Sequence, residues 1–289
     1  MGYPLIIFGA GASHGYSSLG KIAPLTNHLV DDDFLHPDLL ERYKGAGDLL
    51  SDIIYQVKKK KRGFEAVLTE IKERTSHSAV MCSKFAALEF YLKGLFGRIS
   101  DPKFSHTINE RQLGRIHQIN NYLAIINRIQ TYSDGKACVI TFNYDSLFEH
   151  NLGNQAPRCM QDYVSGDIKI FKLHGSHDWS YIQGKNLINY EREGVKDDFE
   201  WYLKHPDFIN QNLKKDSNIR PYHEQELVRD NGKYAKFPAI AIPLVGKDKY
   251  ICPLYHIQKL EQILPNIDRV LIIGWKAGDP LLLETLSNY

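Results

Sequence analysis

Residues 4–13 read PLIIFGAGAS, a short apolar run that ends in a glycine-rich turn. The run does not alternate between polar and apolar residues, which is typical of a strand buried on both faces. Gly9 ends the run, because glycine favours tight turns. The stretch therefore predicts a buried strand followed by a sharp connection, an arrangement typical of α/β proteins.

Further apolar runs predict more strands, and helical patterns lie between them. The predicted strands are 137–142 (ACVITF), 168–173 (IKIFKL), 239–244 (AIAIPL) and 269–275 (RVLIIGW). Residues 79–99 and 110–130 carry apolar side chains at helical spacing. Buried strands separated by helical stretches predict an α/β fold with a Rossmann-like parallel sheet and helices on both of its faces.

Two long stretches interrupt the predicted sheet, and we expect residues 1–289 to form a single domain that contains both. A helical insertion at about 30–132 is too long for a plain crossover between parallel strands. An irregular excursion at about 183–236 is rich in polar residues, with a short helix expected near 197–204.

Composition limits the classes of partner. Lys and Arg total 36 and Asp and Glu total 34, so the net charge of +2 does not favour direct binding of nucleic acid. The basic run KKKKR (58–62) is either a solvated face or an anion-binding patch. No apolar run approaches the ~20 residues that span a bilayer, so we expect a cytoplasmic protein without a membrane contact. The four cysteines form no C-x-x-C pair, so no metal site is expected.

Candidate site residues follow the predicted strands, because ligands bind beyond the carboxyl ends of strands in a parallel sheet. They are Gly9, Ala10, Gly11, Ala12 and Ser13 after the first strand, Asn143 and Asp145 after the second, His174, Gly175 and Ser176 after the third, and Gly274, Trp275 and Asp279 after the last. A glycine turn can present backbone amides to a phosphate, and an imidazole can transfer a proton at cellular pH.

Each of these motifs also has a structural explanation. The glycine turn suits an ordinary strand-to-helix connection, and Asp279 before Pro280 suits the start of a helix. Asn143 and Asp145 suit the cap of a helix near 146, and His174 suits a histidine bonded to a loop carbonyl. Their joint occurrence at predicted strand ends favours a single cleft.

Four stretches in this order resemble the Sir2-like family, in the branch found in bacterial anti-phage defence proteins. They are GAGAS (9–13), TFNYD (141–145), KLHGSHDW (172–179) and RVLIIGWKAGDP (269–280). The resemblance implies a fold that binds NAD as a substrate and hydrolyses it to nicotinamide and ADP-ribose, an antiviral activity that depletes an infected cell of NAD. Asn143 and His174 match the two catalytic positions of the branch, and the other strand-end residues would bind NAD.

The resemblance leaves alternative functions open and implies that the hydrolysis of NAD is controlled. The zinc ribbon and the GIPDFR stretch of deacylating members are absent from this sequence, which argues against deacylation. A non-catalytic module that binds NAD or ADP-ribose, and an NAD-dependent deacylase or ADP-ribosyltransferase, are the alternatives. An enzyme that destroys NAD must be restrained, so we expect a homo-oligomer or a partner defence subunit. We also expect the chain to be a piece of a longer effector.

Overall fold

The computed structural model describes residues 2–14, 23–31, 35–75, 78–101, 121–183, 188, 190–213, 221–229, 234–244 and 249–289. The chain forms two compact units. The first unit comprises Met1–Leu25, Phe96–Ser176 and Asp248–Tyr289, and the second unit comprises Thr26–Leu95 and His177–Lys247. The predicted insertion and excursion both contribute to the second unit, whereas the chain from 96 to 132 belongs to the first. A single domain over 1–289 stays a prediction.

The bounds of the elements, in chain order, are as follows. The strands are β1 (Tyr3–Phe8), β2 (Ala137–Thr141), β3 (Ile168–Lys172), β4 (Gly175–Gln183), β5 (Tyr222–His223), β6 (Ala235–Ile240) and β7 (Ile267–Ile273). The helices are α1 (Ala10–His14), α2 (Pro37–Arg42), α3 (Lys44–Lys60), α4 (Phe64–Thr75), α5 (Ala79–Ser100), α6 (Asn121–Tyr132), α7 (Leu147–His150), α8 (Asp162–Ser165), α9 (Tyr190–Glu193), α10 (Asp198–Lys204), α11 (Pro206–Leu213), α12 (Glu224–Arg229), α13 (Leu254–Ile263) and α14 (Pro280–Ser287). Short 3-10 helices lie at Thr26–Val30, Gly153–Gln155 and Leu264–Asn266.

The first unit is built on a four-stranded sheet with the order β3-β2-β1-β7. All of its strand pairs are parallel: Leu5 lies opposite Cys138 and opposite Val270, and Ala137 lies opposite Ile168. The inner strands are the core of this unit, since every residue of β2 is buried. The predicted α/β fold, a Rossmann-like parallel sheet flanked by helices, is confirmed.

Strand β7 lies at one edge of this sheet and is much less covered than the inner strands. Val270, Leu271 and Ile272 are 56%, 48% and 52% exposed, because no described strand pairs with the outer side of β7. A groove of about 360 Å³ runs along β1, β7 and α6 and is lined mainly by apolar side chains. It lies beside the middle of these strands and not at their carboxyl ends.

The second unit contains a separate three-stranded sheet with the order β5-β4-β6. The predicted strand 239–244 contributes only its first two residues to β6, so it belongs here and not to the parallel sheet. The helix expected near 197–204 is confirmed as α10, whose cap Asp197 accepts a hydrogen bond from Glu200 N. The predicted excursion is more regular than expected, because α9 to α12 and β5 form within it.

The two predicted helices of the insertion have different outcomes. The pattern at 79–99 is confirmed as α5. Of the pattern at 110–130, residues 110–120 lie outside the described residues, and the rest belongs to α6. This helix buries Tyr122, Ile126 and Ile129, whereas Leu123, an apolar residue of the predicted pattern, is 43% exposed. Among the helices in the described ranges, none is both long and apolar enough to cross a membrane.

Candidate active site

The carboxyl ends of the four parallel strands form one rim, and all of the candidate residues lie there within the first unit. The strand ladders continue for one residue past several of these ends. Phe142 N donates to Phe8 O (3.1 Å), Leu173 N to Thr141 O (3.3 Å) and Gly9 N to Ile273 O (3.0 Å). The structure thereby brings together the four sequence motifs that the pattern of strand ends predicted to meet.

The two glycine turns, after β1 and after β7, pack directly against each other. Gly11 N donates to Gly274 O at 3.1 Å. A Cβ atom on Gly9 would lie 2.4 Å from Gly274 O, and one on Gly274 would lie 2.3 Å from Ala12 N. Gly274 also has a φ of +66°, a left-handed conformation that disfavours residues with a side chain. These positions need glycine because two backbones touch there.

This packing changes the role predicted for the amides of the first turn. The amides of Gly9 and Gly11 donate to the carbonyls at the end of β7, and Ala12 N donates to Gly9 O at 2.9 Å. Buried backbone donors are almost always satisfied, and here the protein satisfies them itself. A phosphate at this turn would therefore have at most the amides of Ala10 and Ser13.

Asn143 is a buried side chain whose amide nitrogen is held by two hydroxyl groups of the protein. Its Nδ2 atom lies 2.9 Å from Ser13 Oγ and 3.4 Å from Tyr122 Oη, and it donates to both. Its Oδ1 atom is buried and has no hydrogen-bond partner among the described residues. Leaving a buried acceptor unsatisfied costs about 1–3 kcal/mol, so this oxygen is suited to accept a hydrogen bond from a ligand.

Tyr122 is a member of this site that no sequence motif indicated. Its hydroxyl lies 2.8 Å from Ser13 Oγ, and burial raises the pKa of Tyr122 well above its ordinary value of 10. The hydroxyl is therefore neutral and keeps its proton. In the sequence, a tyrosine on an amphipathic helix looks like any other core aromatic residue, so only its tertiary contacts identify it.

His174 is paired with a carboxylate. His174 Nε2 lies 2.9 Å from Asp279 Oδ2, and since a carboxylate accepts, the Nε2 proton points toward Asp279. The other oxygen of Asp279 accepts from Leu282 N at 2.9 Å, so the expected helix start at Asp279 and Pro280 is confirmed. One carboxylate thus caps α14 and orients the imidazole. The sequence analysis had considered a loop carbonyl as the hydrogen-bond partner of His174.

An aromatic group connects this pair to the turn after β7. The ring of Phe142 contacts the His174 ring edge to face at 4.8 Å and stacks on Trp275 at 5.3 Å. One face of Trp275 is therefore covered by Phe142. A ligand that stacks on Trp275 would have to use the opposite face of the indole ring.

The remaining predicted residues shape the loops around Asn143 and His174. Asp145 is buried, and its Oδ1 accepts from Leu147 N at 3.2 Å, which supports the start of α7. Ser176 Oγ donates to Tyr144 O at 3.3 Å, and Gly175, the first residue of β4, has a φ of +80°. These features give the three residues a structural role.

A buried ion pair that the sequence analysis did not single out supports the loop at Asn143–Asp145. Lys172 Nζ lies 2.7 Å from Glu149 Oε1 and donates to Asp145 O at 2.6 Å. Both side chains are buried, and Lys172 is fully so. A lysine between the apolar residues Phe171 and Leu173 is the signal that could have indicated it, because lysine is almost never fully buried without a partner.

Comparisons with known proteins add no family to this picture. A scan against models of protein families finds no match, and a search of the curated proteins finds none that matches significantly. In the part of the chain that the structure describes, no cluster of three or more His, Cys, Asp or Glu side chains could hold a metal ion.

Proposed function

We propose that the chain is an NAD+ glycohydrolase of the Sir2-like kind, which cleaves NAD+ to nicotinamide and ADP-ribose. The supporting observation is the chemistry of the strand-end rim. Asn143, whose buried carboxamide oxygen has no partner among the described residues, follows β2, and His174, which is paired with Asp279, follows the neighbouring parallel strand β3. Asn143 and His174 are also the residues that match the catalytic positions of the family that the sequence resembles.

The reaction breaks the bond between the ribose and the cationic nicotinamide ring. The electron pair of this bond goes to the ring nitrogen, so nicotinamide leaves as a neutral molecule and needs no general acid. The ribose acquires oxocarbenium character, as in other glycoside hydrolyses, and a water oxygen then bonds to the same carbon. The protein must therefore hold the ribose, place the water and accept one proton.

Two side chains meet these needs. Asn143 Oδ1 accepts a hydrogen bond from a ribose hydroxyl or from the water, because this buried oxygen has no hydrogen-bond partner among the described residues. His174 takes the proton of the water on Nδ1, since its Nε2 proton is held by Asp279. The carboxylate of Asp279 stabilises the imidazolium that results. General base catalysis of this kind typically contributes about 10²–10⁴-fold.

The proposal is tested by turnover and products in purified protein. We expect His174→Ala and Asn143→Ala each to lower kcat by about 10²-fold or more, because each removes a group that acts on the reacting ribose or water. Asp279→Asn keeps a good helix cap and removes the charge beside His174, so it should lower kcat with little loss of stability. Chromatography of NAD+, nicotinamide and ADP-ribose measures all three. Unchanged turnover in both alanine variants would end the assignment.

Depletion of NAD would make the protein an antiviral effector of abortive infection that acts in the cytoplasm, and its activity would need restraint. The proposal therefore includes control by self-assembly or by a partner defence subunit. Light scattering on the purified chain tests this part. A fully active monomer that needs no other protein would contradict it.

A binding module that senses NAD or ADP-ribose without cleaving it is the second candidate. It is favoured by one observation: Asp279 already has a structural task as the cap of α14, so its contact with His174 also suits a structural histidine. The two candidates differ in products. Calorimetric binding of NAD+ without release of nicotinamide would support the sensor and exclude the glycohydrolase.

A further inference from the structure

Tyr122 is held rigidly beside the catalytic candidate Asn143. Its side chain is only 2% exposed, and its ring lies edge to face against Phe8 at 5.2 Å and against Phe148 at 5.6 Å. Phe8 is the last residue of β1, and Phe148 belongs to α7. The position of the Tyr122 hydroxyl is therefore set by the packing of its ring between two elements of the sheet rim.

The Tyr122 hydroxyl, the Ser13 hydroxyl and the Asn143 amide nitrogen are joined to one another by three hydrogen bonds. Tyr122 Oη lies 2.8 Å from Ser13 Oγ, and Asn143 Nδ2 contacts both of these oxygens, at 3.4 Å and 2.9 Å. The two oxygens are only 2.8 Å apart, so they lie on the same side of the donating Nδ2 atom and accept from it as a pair. The amide nitrogen of Asn143 is thus directed toward this pair of hydroxyls.

The orientation of the nitrogen decides the orientation of the oxygen. The carboxamide is planar, so Oδ1 of Asn143 must point away from Ser13 and Tyr122, and it is this atom that lacks a partner among the described residues. If the amide turned by 180°, its oxygen could accept from only one of the hydroxyls, because the bond between Ser13 and Tyr122 already uses one of their two protons, and the nitrogen would face the ligand. The two hydroxyls therefore decide which atom of Asn143 a substrate meets.

We propose that Tyr122 is a positioning residue, which together with Ser13 holds the Asn143 carboxamide so that Oδ1 faces the ribose or the attacking water. This inference rests on the proposed glycohydrolase function and extends it to α6, a helix that carries none of the family motifs. Tyr122 acts through Asn143 and does not itself touch the reacting atoms.

The variant Tyr122→Phe tests the inference, because it keeps the ring between Phe8 and Phe148 and removes only the hydroxyl. We expect kcat for NAD+ to fall by about three- to tenfold, the range typical for loss of one neutral hydrogen bond, with KM unchanged. Tyr163→Phe is the matched control, since Tyr163 is another buried tyrosine of the first unit and its ring lies against His256. Its kcat should equal that of the wild type.

Two further measurements separate positioning from a general structural effect. In an Asn143→Ala background, Tyr122→Phe should cause no additional loss of turnover, whereas a structural role would add its loss in both backgrounds. In NMR spectra, the side-chain amide protons of Asn143, identified by their absence in Asn143→Asp, should exchange with solvent faster in Tyr122→Phe than in the wild type or the control.

The outcomes also distinguish this inference from the function it rests on. Turnover by the wild type and an equal kcat in Tyr122→Phe would overturn the positioning role and leave the glycohydrolase standing. Absence of turnover in the wild type, both alone and with candidate activators, would remove the proposed function. The amide exchange would then decide on its own whether Tyr122 orients Asn143, and an unchanged exchange rate would overturn that as well.

Discussion

The contact between the two glycine turns predicts that alanine substitutions there lower the free energy of unfolding. The cost of the left-handed backbone and the cost of steric overlap can be measured separately. A methyl group on Gly274 meets two obstacles, a left-handed φ of +66° and the backbone of the first turn, 2.3 Å away at Ala12 N. A methyl group on Gly9 meets only the second obstacle, at 2.4 Å from Gly274 O. The chain also offers a glycine with only the conformational obstacle and a glycine with neither.

These four glycines allow the two costs to be measured apart. Gly153 has a φ of +59° and open space around it, whereas Gly278 has open space and no left-handed φ. Left-handed backbone costs a residue with a side chain about 1–2 kcal/mol, and overpacking typically costs about 1–3 kcal/mol. The obstacles here are backbone atoms, which cannot move aside as the end of a side chain can, so the steric cost should lie at the upper end.

We therefore expect four graded results from substitution by alanine. Gly278→Ala should change the free energy of unfolding by less than about 0.5 kcal/mol, and Gly153→Ala should lower it by about 1–2 kcal/mol. Gly9→Ala should lower it by about 3 kcal/mol, and Gly274→Ala by about 4–5 kcal/mol, the two costs combined.

Urea unfolding followed by tryptophan fluorescence measures these values, and an unchanged m-value shows that the same transition is compared. Trp275 adjoins Gly274 and reports on this region. The reasoning would be refuted if Gly9→Ala were as stable as Gly278→Ala, because the two backbones would then not be in the close contact described. Equal losses for Gly153→Ala and Gly274→Ala would likewise show that only the backbone conformation matters.

Two predictions concern buried ionisable groups other than the candidate site residues. Lys172→Met leaves the Glu149 carboxylate buried without its counter-ion and should cost about 3–5 kcal/mol in unfolding free energy, whereas Lys172→Met with Glu149→Leu should recover most of that loss. Lys169 in the same strand is half-buried, and Lys169→Met serves as the control. The prediction would be contradicted if Lys172→Met alone were as stable as Lys172→Met combined with Glu149→Leu. Burial lowers the pKa of His256 from 6.5 to about 4, so the unfolded state binds its proton first as the pH falls. The free energy of unfolding should therefore fall by about 3 kcal/mol between pH 6.5 and pH 4 because of His256. Above pH 6.5 this residue should not change the stability. His256→Gln should show a shallower decline over the same range in urea titrations, and parallel curves for the two proteins would count against this origin.

The sequence by itself determined the parallel sheet and the residues at its rim. The strands at Tyr3–Phe8, Ala137–Thr141 and Ile168–Lys172 were predictable because buried strands demand apolar runs. The apolar run also predicted the strand at Ile267–Ile273, although its residues are largely exposed at the edge of the sheet. The residues after them were predictable as neighbours because parallel strands end at one edge. The start of α14 was likewise local chemistry, since Asp279 and Pro280 are adjacent in the chain.

Only the tertiary structure decided how those residues are used. Asn143 and Tyr122 are 21 positions apart and His174 and Asp279 are 105 apart, and no local pattern specifies which side chains meet across such distances. For the same reason, the sequence indicated that the glycines of the two turns are important but did not show which role they have. Their sequence suited phosphate binding, while the folded chain uses them where two backbones touch, because a buried amide takes whichever acceptor the fold brings within reach.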